Sequence, residues 1–245
     1  MAKLRIIAAV LMLALAGGCH QSVADADRAP SARAFPRADR PVSNVSSGFE
    51  SESQRDNLHE AETVMDLAAI RPGTTVADIG AGEGYYTVRL AKRVGEKGRV
   101  LAQDIDAAAL QKLGVRVEHD RLDNVSIQLG AGDDPKLPAA SFDRVFLVHV
   151  YHEVNEPYAF VWHLSAALRP GGQVIVVDVD RPTDRHGIPP PQLFCEFGAV
   201  GFRLVQFVRR PELQGYFAAF EAAGKPPEPA AIKACRATRG KNGAP

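Results

Sequence analysis

The sequence predicts an α/β fold: a doubly wound, mostly parallel sheet of seven strands with an antiparallel last strand. Three observations lead to this prediction. Short apolar runs alternate with helical patterns between residues 55 and 179. One run, VFLVHV at 145–150, is nearly continuous in apolar residues, as in strands that are covered on both faces. Two later runs, FRLVQFV and GYFAAF, are separated by only six residues, too few for a crossover helix, so these strands should pair antiparallel.

The first elements follow from helix stops and apolar faces. A helix is predicted over 55–70 because apolar residues recur on one broad face, and Arg71-Pro72-Gly73 ends it. Asp106 is placed as the N-cap of a later helix. The first half of the pattern is strand Thr75–Ile79, helix Tyr85–Val94, strand Arg99–Gln103, helix Ala107–Leu113 and strand Val125–Leu129.

The second half has a further stop signal, because Pro170-Gly171-Gly172 separates a helix from the strand QVIVVDV. A Pro-rich loop at 187–191 then precedes another helix and the antiparallel pair. The predicted elements are strand Arg144–Val150, helix Pro157–Leu168, strand Gln173–Val179, helix Gln192–Val200, and strands Phe202–Val208 and Gly215–Phe220.

The composition suits one globular domain, predicted over 49–224, with extra peptide at both ends. The chain has 245 residues, of which 46% are hydrophobic and 24% charged. Lys and Arg total 29, as do Asp and Glu, so no overall field favours nucleic acid as a partner. A small-molecule partner is therefore expected.

The first 19 residues resemble a secretory signal. Lys3 and Arg5 precede an uncharged run from Ile6 to Ala16, and small residues follow before Cys19. Eleven residues of helix span roughly 16 Å at about 1.5 Å per residue, short of a hydrocarbon core of about 30 Å. The run therefore indicates a signal peptide rather than a membrane span.

The end of this segment, LAGGC at 15–19, is similar to the lipobox of bacterial lipoproteins, whose cysteine is acylated and becomes the new N-terminus. It departs from that pattern at Ala16, where leucine is preferred, and Ala14-Leu15-Ala16 offers an ordinary A-x-A cleavage site instead. The resemblance implies a protein exported to the bacterial cell envelope and held at the membrane, facing the periplasm, by a lipid on Cys19.

Two segments lack a periodic apolar face. Residues 20–48 are rich in Ala, Ser, Pro, Asp and Arg and are expected to form a disordered tether. Residues 225–245, rich in proline and basic residues, are expected to form a disordered tail. The contexts of Cys195 and Cys235 show neither metal spacing nor a redox pair. A disulfide between them is left open, although Cys195 fits better as a small buried apolar residue.

The stretch VADIGAGEGYYT ends a predicted strand with glycines at 80, 82 and 84. In doubly wound sheets this first strand–helix turn lies at the ligand site. The nicotinamide pattern G-x-G-x-x-G is broken, because Tyr85 stands where its last glycine belongs. Asp78 at the strand end suits an ammonium group, and Asp104 at the end of the second strand suits ribose hydroxyls. Both acids favour a cationic nucleoside.

This stretch, followed by VLAQDID, resembles motif I and the second-strand acid of class I S-adenosylmethionine-dependent methyltransferases. The similarity extends over about 49–220 and includes SFDRVFLVHVYHEV, ALRPGGQVIVVD and the terminal antiparallel strands. It implies a Rossmann-like fold and S-adenosyl-L-methionine as cofactor. It also implies backbone approach at the three glycines, an amino-group contact at Asp78, a ribose contact at Asp104 and an adenine contact at Asp133. The Gly-Asp usual in the family near that last position is Gly130-Ala131 here.

The methyl acceptor is expected over the end of the fourth strand, where HVYHE occupies 149–153. His152 is the candidate general base, and His149 and Tyr151 are expected to line the site because strand residues alternate. Tyr86, just past the glycines, is expected there too. A metal site built on His149, His152 and Glu153 is not expected, since no second cluster in the sequence supplies further ligands.

Three functions remain open from the sequence. The first is a methyltransferase that transfers a methyl group to a small molecule, a reaction for which positioning suffices because the cofactor carries the reactivity. The second is a methyltransferase-like domain of the cell envelope that binds a nucleoside or a partner without turnover. The third, a nicotinamide-dependent oxidoreductase, is weakened by Tyr85.

Overall fold

A computed structural model describes residues 25, 27–42, 51–213 and 215–236. The predicted signal peptide, with Cys19, lies outside the described residues. Among the helices of the described ranges, none combines the length and the apolar character that crossing a membrane requires.

Seven strands form one sheet in the order β3-β2-β1-β4-β5-β7-β6. β1 to β5 are parallel, whereas β7 lies between β5 and β6 and is antiparallel to both. The predicted fold class, including the reversed last strand, is confirmed. The strands are β1 (Thr75–Ile79), β2 (Arg99–Asp104), β3 (Val125–Leu129), β4 (Phe142–Val148), β5 (Leu168–Val179), β6 (Phe202–Arg210) and β7 (Gly215–Ala222).

Helices cover both faces of the sheet, and alternate residues of the central strand show this directly. Val145 and Leu147 of β4 face the cluster that contains α5 and α6, whereas Phe146 between them faces the cluster that contains α2 and α3. The helices are α1 (Glu52–Asn57), α2 (Glu60–Leu67), α3 (Tyr85–Val94), α4 (Ala107–His119), α5 (Pro157–Ala167) and α6 (Pro190–Ala199).

The single helix predicted over 55–70 is two helices, α1 and α2. His59 interrupts them with a left-handed backbone, φ +51°. A capping box between Ser51 and Gln54 starts α1. The break lets Arg55 Nη2 approach Glu60 Oε1 at 2.6 Å. The continuous apolar face therefore did not indicate the turn, which brings together a part-buried ion pair.

Residues 27–42 pack on the domain, although 20–48 was predicted to be a disordered tether. Ala32 and Phe35 are buried in the same cluster as α5. Arg28 pairs with Glu156 at 2.6 Å, and Arg40 pairs with buried Glu196 at 2.7 Å. The expectation of disorder fails here because isolated arginines and one aromatic anchor the segment without any periodic pattern.

Residues 225–236, part of the predicted disordered tail, are also fixed to the domain. The indole Nε1 of Trp162 donates to the carbonyl of Pro227 at 3.0 Å, and Ile232 is buried. Cys235 forms a disulfide with Cys195 in α6, with 6.0 Å between their Cα atoms. The interpretation of Cys195 as an unpaired buried residue is therefore wrong, because the fold returns the tail to α6 over forty residues of sequence.

Candidate active site

A cavity of about 670 Å³ opens at the carboxyl ends of β1 to β4. This volume lies within the range of roughly 300–1,000 Å³ that small-molecule sites occupy. Its wall includes Arg55, Gly80, Gly82, Glu83, Tyr85, Asp104, Asp106, Ala131, Gly132, His149, Val150, Glu153 and Asn155. The location is the one that a doubly wound sheet dictates for a ligand.

The three glycines of the turn after β1 have different surroundings, although all have positive φ. A Cβ on Gly82 would meet no atom within 4 Å, so the space over this residue is open. A Cβ on Gly80 would lie 2.6 Å from Val150 Cγ2, and one on Gly84 would lie 2.4 Å from Leu113 Cδ1. Gly80 and Gly84 therefore permit close internal packing, and Gly82 leaves an open approach to backbone.

Asp104 ends β2 on the cavity wall, where the sequence predicted it. Its Oδ2 accepts the N–H of Gly82 at 2.8 Å, and its Oδ1 accepts the N–H of Asp106 at 2.9 Å. Each carboxylate oxygen has a second lone pair for a further donor. The carboxylate is thus fixed in orientation and keeps acceptor capacity for a ligand.

Asp78 lies behind the cavity wall rather than on it. The carboxyl is buried, and its Oδ2 accepts the hydroxyl of Thr87 at 2.6 Å. Burial raises the pKa of Asp78 to about 6, although the hydrogen bond from the Thr87 hydroxyl acts to lower it. Asp78 therefore places a titratable carboxyl next to the turn but does not line the cavity.

Asp133, predicted to contact adenine, does not line the cavity, whereas Ala131 and Gly132 do. The Asp133 carboxylate accepts a hydrogen bond from the hydroxyl of Ser31, and its backbone carbonyl contacts His163 Nδ1 at 3.1 Å. The side chain is therefore occupied by the N-terminal segment, which the sequence had assigned to a disordered tether.

The acceptor end of the cavity is shaped by the early end of β4. The strand ends at Val148, two residues before the predicted end, and His149 has φ +56°. His149 lines the cavity, with its Nε2 3.5 Å from Glu60 Oε1. Burial alone would raise the pKa of Glu60, but contacts with His149 and Arg55 lower it to about 2.

Three residues that the sequence placed at the site are buried elsewhere. Tyr151 is fully buried and donates its hydroxyl to Glu196 at 2.8 Å. His152 is fully buried against Asp178. Tyr86 donates to Glu60 at 3.0 Å behind the wall. The predicted alternation fails because the strand has already ended at Val148.

Other wall residues were missed by the sequence analysis. Glu153 and Asn155 follow β4, and Arg55 comes from the turn-broken helix pair. The Arg55 guanidinium lies 3.8 Å from the centroid of the Tyr85 ring. The interruption of the helix at His59 brings Arg55 to the cavity wall, and no local sequence pattern indicates that interruption.

The wall as a whole is acidic and suits a cation. Five carboxylates face two permanent cations: Glu52, Glu83, Asp104, Asp106 and Glu153 against Arg55 and Lys112. With the open backbone at Gly82 and the fixed carboxylate of Asp104, these acidic groups fit a nucleoside that carries a sulfonium and an ammonium group.

Comparison with known proteins agrees with this geometry. Residues 76–172 match the methyltransferase domain family. A ubiquinone/menaquinone biosynthesis C-methyltransferase UbiE of Hahella chejuensis (strain KCTC 2396) is 29% identical over 121 residues, 49% of each chain. A nocamycin O-methyltransferase of Saccharothrix syringae is 31% identical over 133 residues, 54% of this chain and 45% of the relative. The chain spans about half the length of the curated relatives it matches.

Among solved structures, a SAM-dependent methyltransferase from Aquifex aeolicus superposes with a TM-score of 0.61 and 22% identity. The match covers 70% of this chain and 98% of that one. At this identity the likeness shows the fold. Taken with the glycine turn, the acid at the end of β2 and the reversed β7, the match over residues 76–172 supports a methyltransferase domain of the class I S-adenosylmethionine-dependent type, with S-adenosyl-L-methionine as its cofactor.

Proposed function

We propose that the protein is an S-adenosyl-L-methionine-dependent methyltransferase that methylates a small-molecule acceptor. The observation that carries the proposal is the continuity of one cavity from the open turn at Gly82 and the carboxylate of Asp104 to His149 and Glu153. One end of this cavity suits the cofactor, and the other end leaves room for an acceptor beside titratable side chains.

In this proposal Asp104 holds the ribose hydroxyls, and the backbone at Gly82 borders the ligand. Gly80 and Gly84 act indirectly, by allowing the turn to pack against Val150 and Leu113. Asp78 sets the electrostatics behind the turn. Asp133 keeps only an indirect role next to the adenine side, because Ser31 occupies its carboxylate.

S-adenosyl-L-methionine supplies a methyl group activated on a sulfonium, so the protein mainly aligns the acceptor and excludes water. We assign proton removal from the acceptor to His149, in place of the earlier candidate His152. His149 lines the cavity, and its Nε2 lies 3.5 Å from Glu60 Oε1, a contact that orients the imidazole. Glu153 and Asn155 are positioned to orient a polar acceptor.

The size of the cavity supports a small acceptor rather than a macromolecule. The named relatives methylate carbon in one case and oxygen in the other, so the acceptor atom is not assigned by similarity. A methyltransferase-like domain that only binds a nucleoside or a partner is not favoured, since the relatives are named as methyltransferases and the acceptor end is lined by polar groups.

We further propose that the protein works in the bacterial cell envelope, facing the periplasm, with a lipid anchor at Cys19. The basic start, the apolar run and the small residues before Cys19 support export. The disulfide between Cys195 and Cys235 adds support, because disulfides persist mainly in oxidising compartments.

The proposed function is tested by incubating the purified chain with donor labelled on the methyl group and an extract of cell-envelope small molecules. We expect label in an organic-soluble product, and loss of that label in Asp104→Ala. Binding of S-adenosylhomocysteine without any transfer across such extracts would favour the binding-only alternative.

A further inference from the structure

Three side chains with metal-binding atoms converge beside the cavity wall: His152, Glu153 and His186. One ligand atom from each lies within 4.8 Å of the other two. Sequence spacing does not indicate this cluster, because His186 is 33 residues beyond Glu153 in the chain. The fold supplies it from the loop that follows β5.

His152 is held as a metal ligand would be. Its Nδ1 lies 3.0 Å from both carboxylate oxygens of Asp178, at the end of β5, and the side chain has no solvent exposure. Since only acceptors face Nδ1, that nitrogen carries a proton and donates it to Asp178. This arrangement of carboxylate, histidine and metal is common around protein metal ions, where the carboxylate orients the imidazole.

The other nitrogen of His152 is buried without a hydrogen bond among the described residues. It lies 3.8 Å from Oε1 of Glu153. A buried polar atom without a hydrogen bond is costly, and in a native structure it calls for an explanation such as a bound ion or water. Nε2 of His152 therefore points to a bound group within the cluster.

We propose that His152, Glu153 and His186 bind a divalent transition-metal ion of the zinc class, with Asp178 as the positioning residue behind His152. Two imidazoles and one carboxylate are donors that suit Zn²⁺ and Co²⁺, whereas Mg²⁺ and Ca²⁺ prefer all-oxygen sites. Three protein ligands leave a fourth position open for water or another small ligand.

The present spacing is close to that of a metal site. Ligands about 2.0–2.1 Å from a tetrahedral ion lie roughly 3.4 Å from one another. The separation between His152 and Glu153, 3.8 Å, needs only a small closure. His152 is held by Asp178, whereas His186 is exposed in the loop after β5.

The charges around the cluster also fit a dication. Glu153 and Asp178 supply two carboxylates, which match the two charges of the ion and reduce the cost of burying it. Glu153 also lines the large cavity, so the metal adjoins the proposed acceptor end. The site itself does not depend on methyl transfer.

The test is calorimetric titration of Zn²⁺ into the full, oxidised chain after chelator treatment, repeated with Co²⁺ for its visible absorption. We expect one ion per chain and the intense bands of tetrahedral cobalt. His186→Ala, a change in an exposed loop, should weaken affinity at least tenfold, and Glu153→Gln should do the same. His119→Ala, an exposed histidine of α4, is the matched control and should leave affinity unchanged.

Circular dichroism of each variant separates loss of binding from loss of folding. Asp178→Asn should weaken metal binding by about 10–100-fold while the protein remains folded. Two results would overturn the proposal: no binding by the folded wild type, or binding that survives in both His186→Ala and Glu153→Gln.

Discussion

The backbone N–H of Gly82 donates to Oδ2 of Asp104 at 2.8 Å and so ties the turn after β1 to the end of β2. The two strands are neighbours in the sheet, with Asp78 in register with Ala102. The turn and the acid are therefore one unit. A change at either residue should alter the position of the other, and their effects on ligand binding should not be additive.

The first prediction separates two glycines of the turn. Gly84→Ala should lower the free energy of unfolding by about 1–3 kcal/mol, because its Cβ would overlap Leu113. Gly82→Ala adds a Cβ in open space and should cost less stability, from its positive φ alone, while weakening cofactor binding. Urea unfolding and binding of S-adenosylhomocysteine measure the two effects.

The double variant Gly84→Ala/Leu113→Ala serves as the control, because removing the Leu113 side chain relieves the overlap. Its destabilisation should be smaller than the sum of the two single changes. Equal stability losses at Gly82 and Gly84 would contradict the different surroundings of the two residues.

The second prediction concerns Asp78 and pH. The folded protein keeps the proton of Asp78 up to about pH 6, whereas the unfolded chain releases it near the ordinary value of 3.8. The folded state therefore binds more protons in this window, and the contribution of Asp78 to stability decreases as pH rises from about 4 to about 6.

Asp78→Asn removes this charge and keeps an acceptor for Thr87. The variant should be more stable than the wild type at pH 7, by on the order of 2–3 kcal/mol, and the difference should vanish near pH 4. Chemical unfolding from pH 4 to pH 8 measures it. If the free energy of unfolding varied with pH in the same way for both proteins, the pKa of Asp78 would not be raised in the folded state.

Sequence patterns predicted most of the sheet, because strands such as β1 and β3 are single uninterrupted segments with turn residues at their ends. Their predicted bounds agree with the structure. The reversed β7 followed from a short connection. Strand bounds and short connections depend on neighbouring residues in the sequence, so they can be predicted from the sequence alone.

The acceptor side was predicted less well, because it depends on long-range contacts. Whether His149 or His152 faces the cavity depends on where β4 ends, and a single left-handed residue decides it. His186, Ser31 and Cys235 reach their partners through tertiary packing. No spacing in the sequence reports such contacts.

The third prediction concerns the disulfide. Its loop of forty residues gives a chain-entropy contribution of roughly 4 kcal/mol. Replacing both Cys195 and Cys235 by serine should lower the free energy of unfolding by a few kcal/mol. Reductant should bring the wild type to the same value and leave the variant unchanged. If reductant left the free energy of unfolding of the wild type unchanged, the disulfide would not contribute to stability.

The fourth prediction concerns export. Fractionation of cells that make the full chain should give a processed protein in the membrane pellet, accessible to protease from the periplasmic side. Cys19→Ala should remove the lipid signal. Acylation contributes about 0.8 kcal/mol per buried methylene, so its loss should release the protein from the membrane. Unprocessed wild type in the cytosol would rule out export, and processed but soluble wild type would rule out only the anchor.

The proposed function depends above all on binding of S-adenosyl-L-methionine in the cavity through Asp104. Its most direct test is calorimetric titration of S-adenosylhomocysteine into the wild type, Asp104→Ala and Asp66→Ala, the last being an exposed carboxylate outside the cavity wall. Hydrogen bonds to a charged group are worth roughly 1.5–3 kcal/mol each, so Asp104→Ala should lower affinity tenfold or more. We expect one site per chain, a large loss of affinity in Asp104→Ala and no loss in Asp66→Ala. Unchanged affinity in a folded Asp104→Ala, or no binding by the wild type, would contradict it.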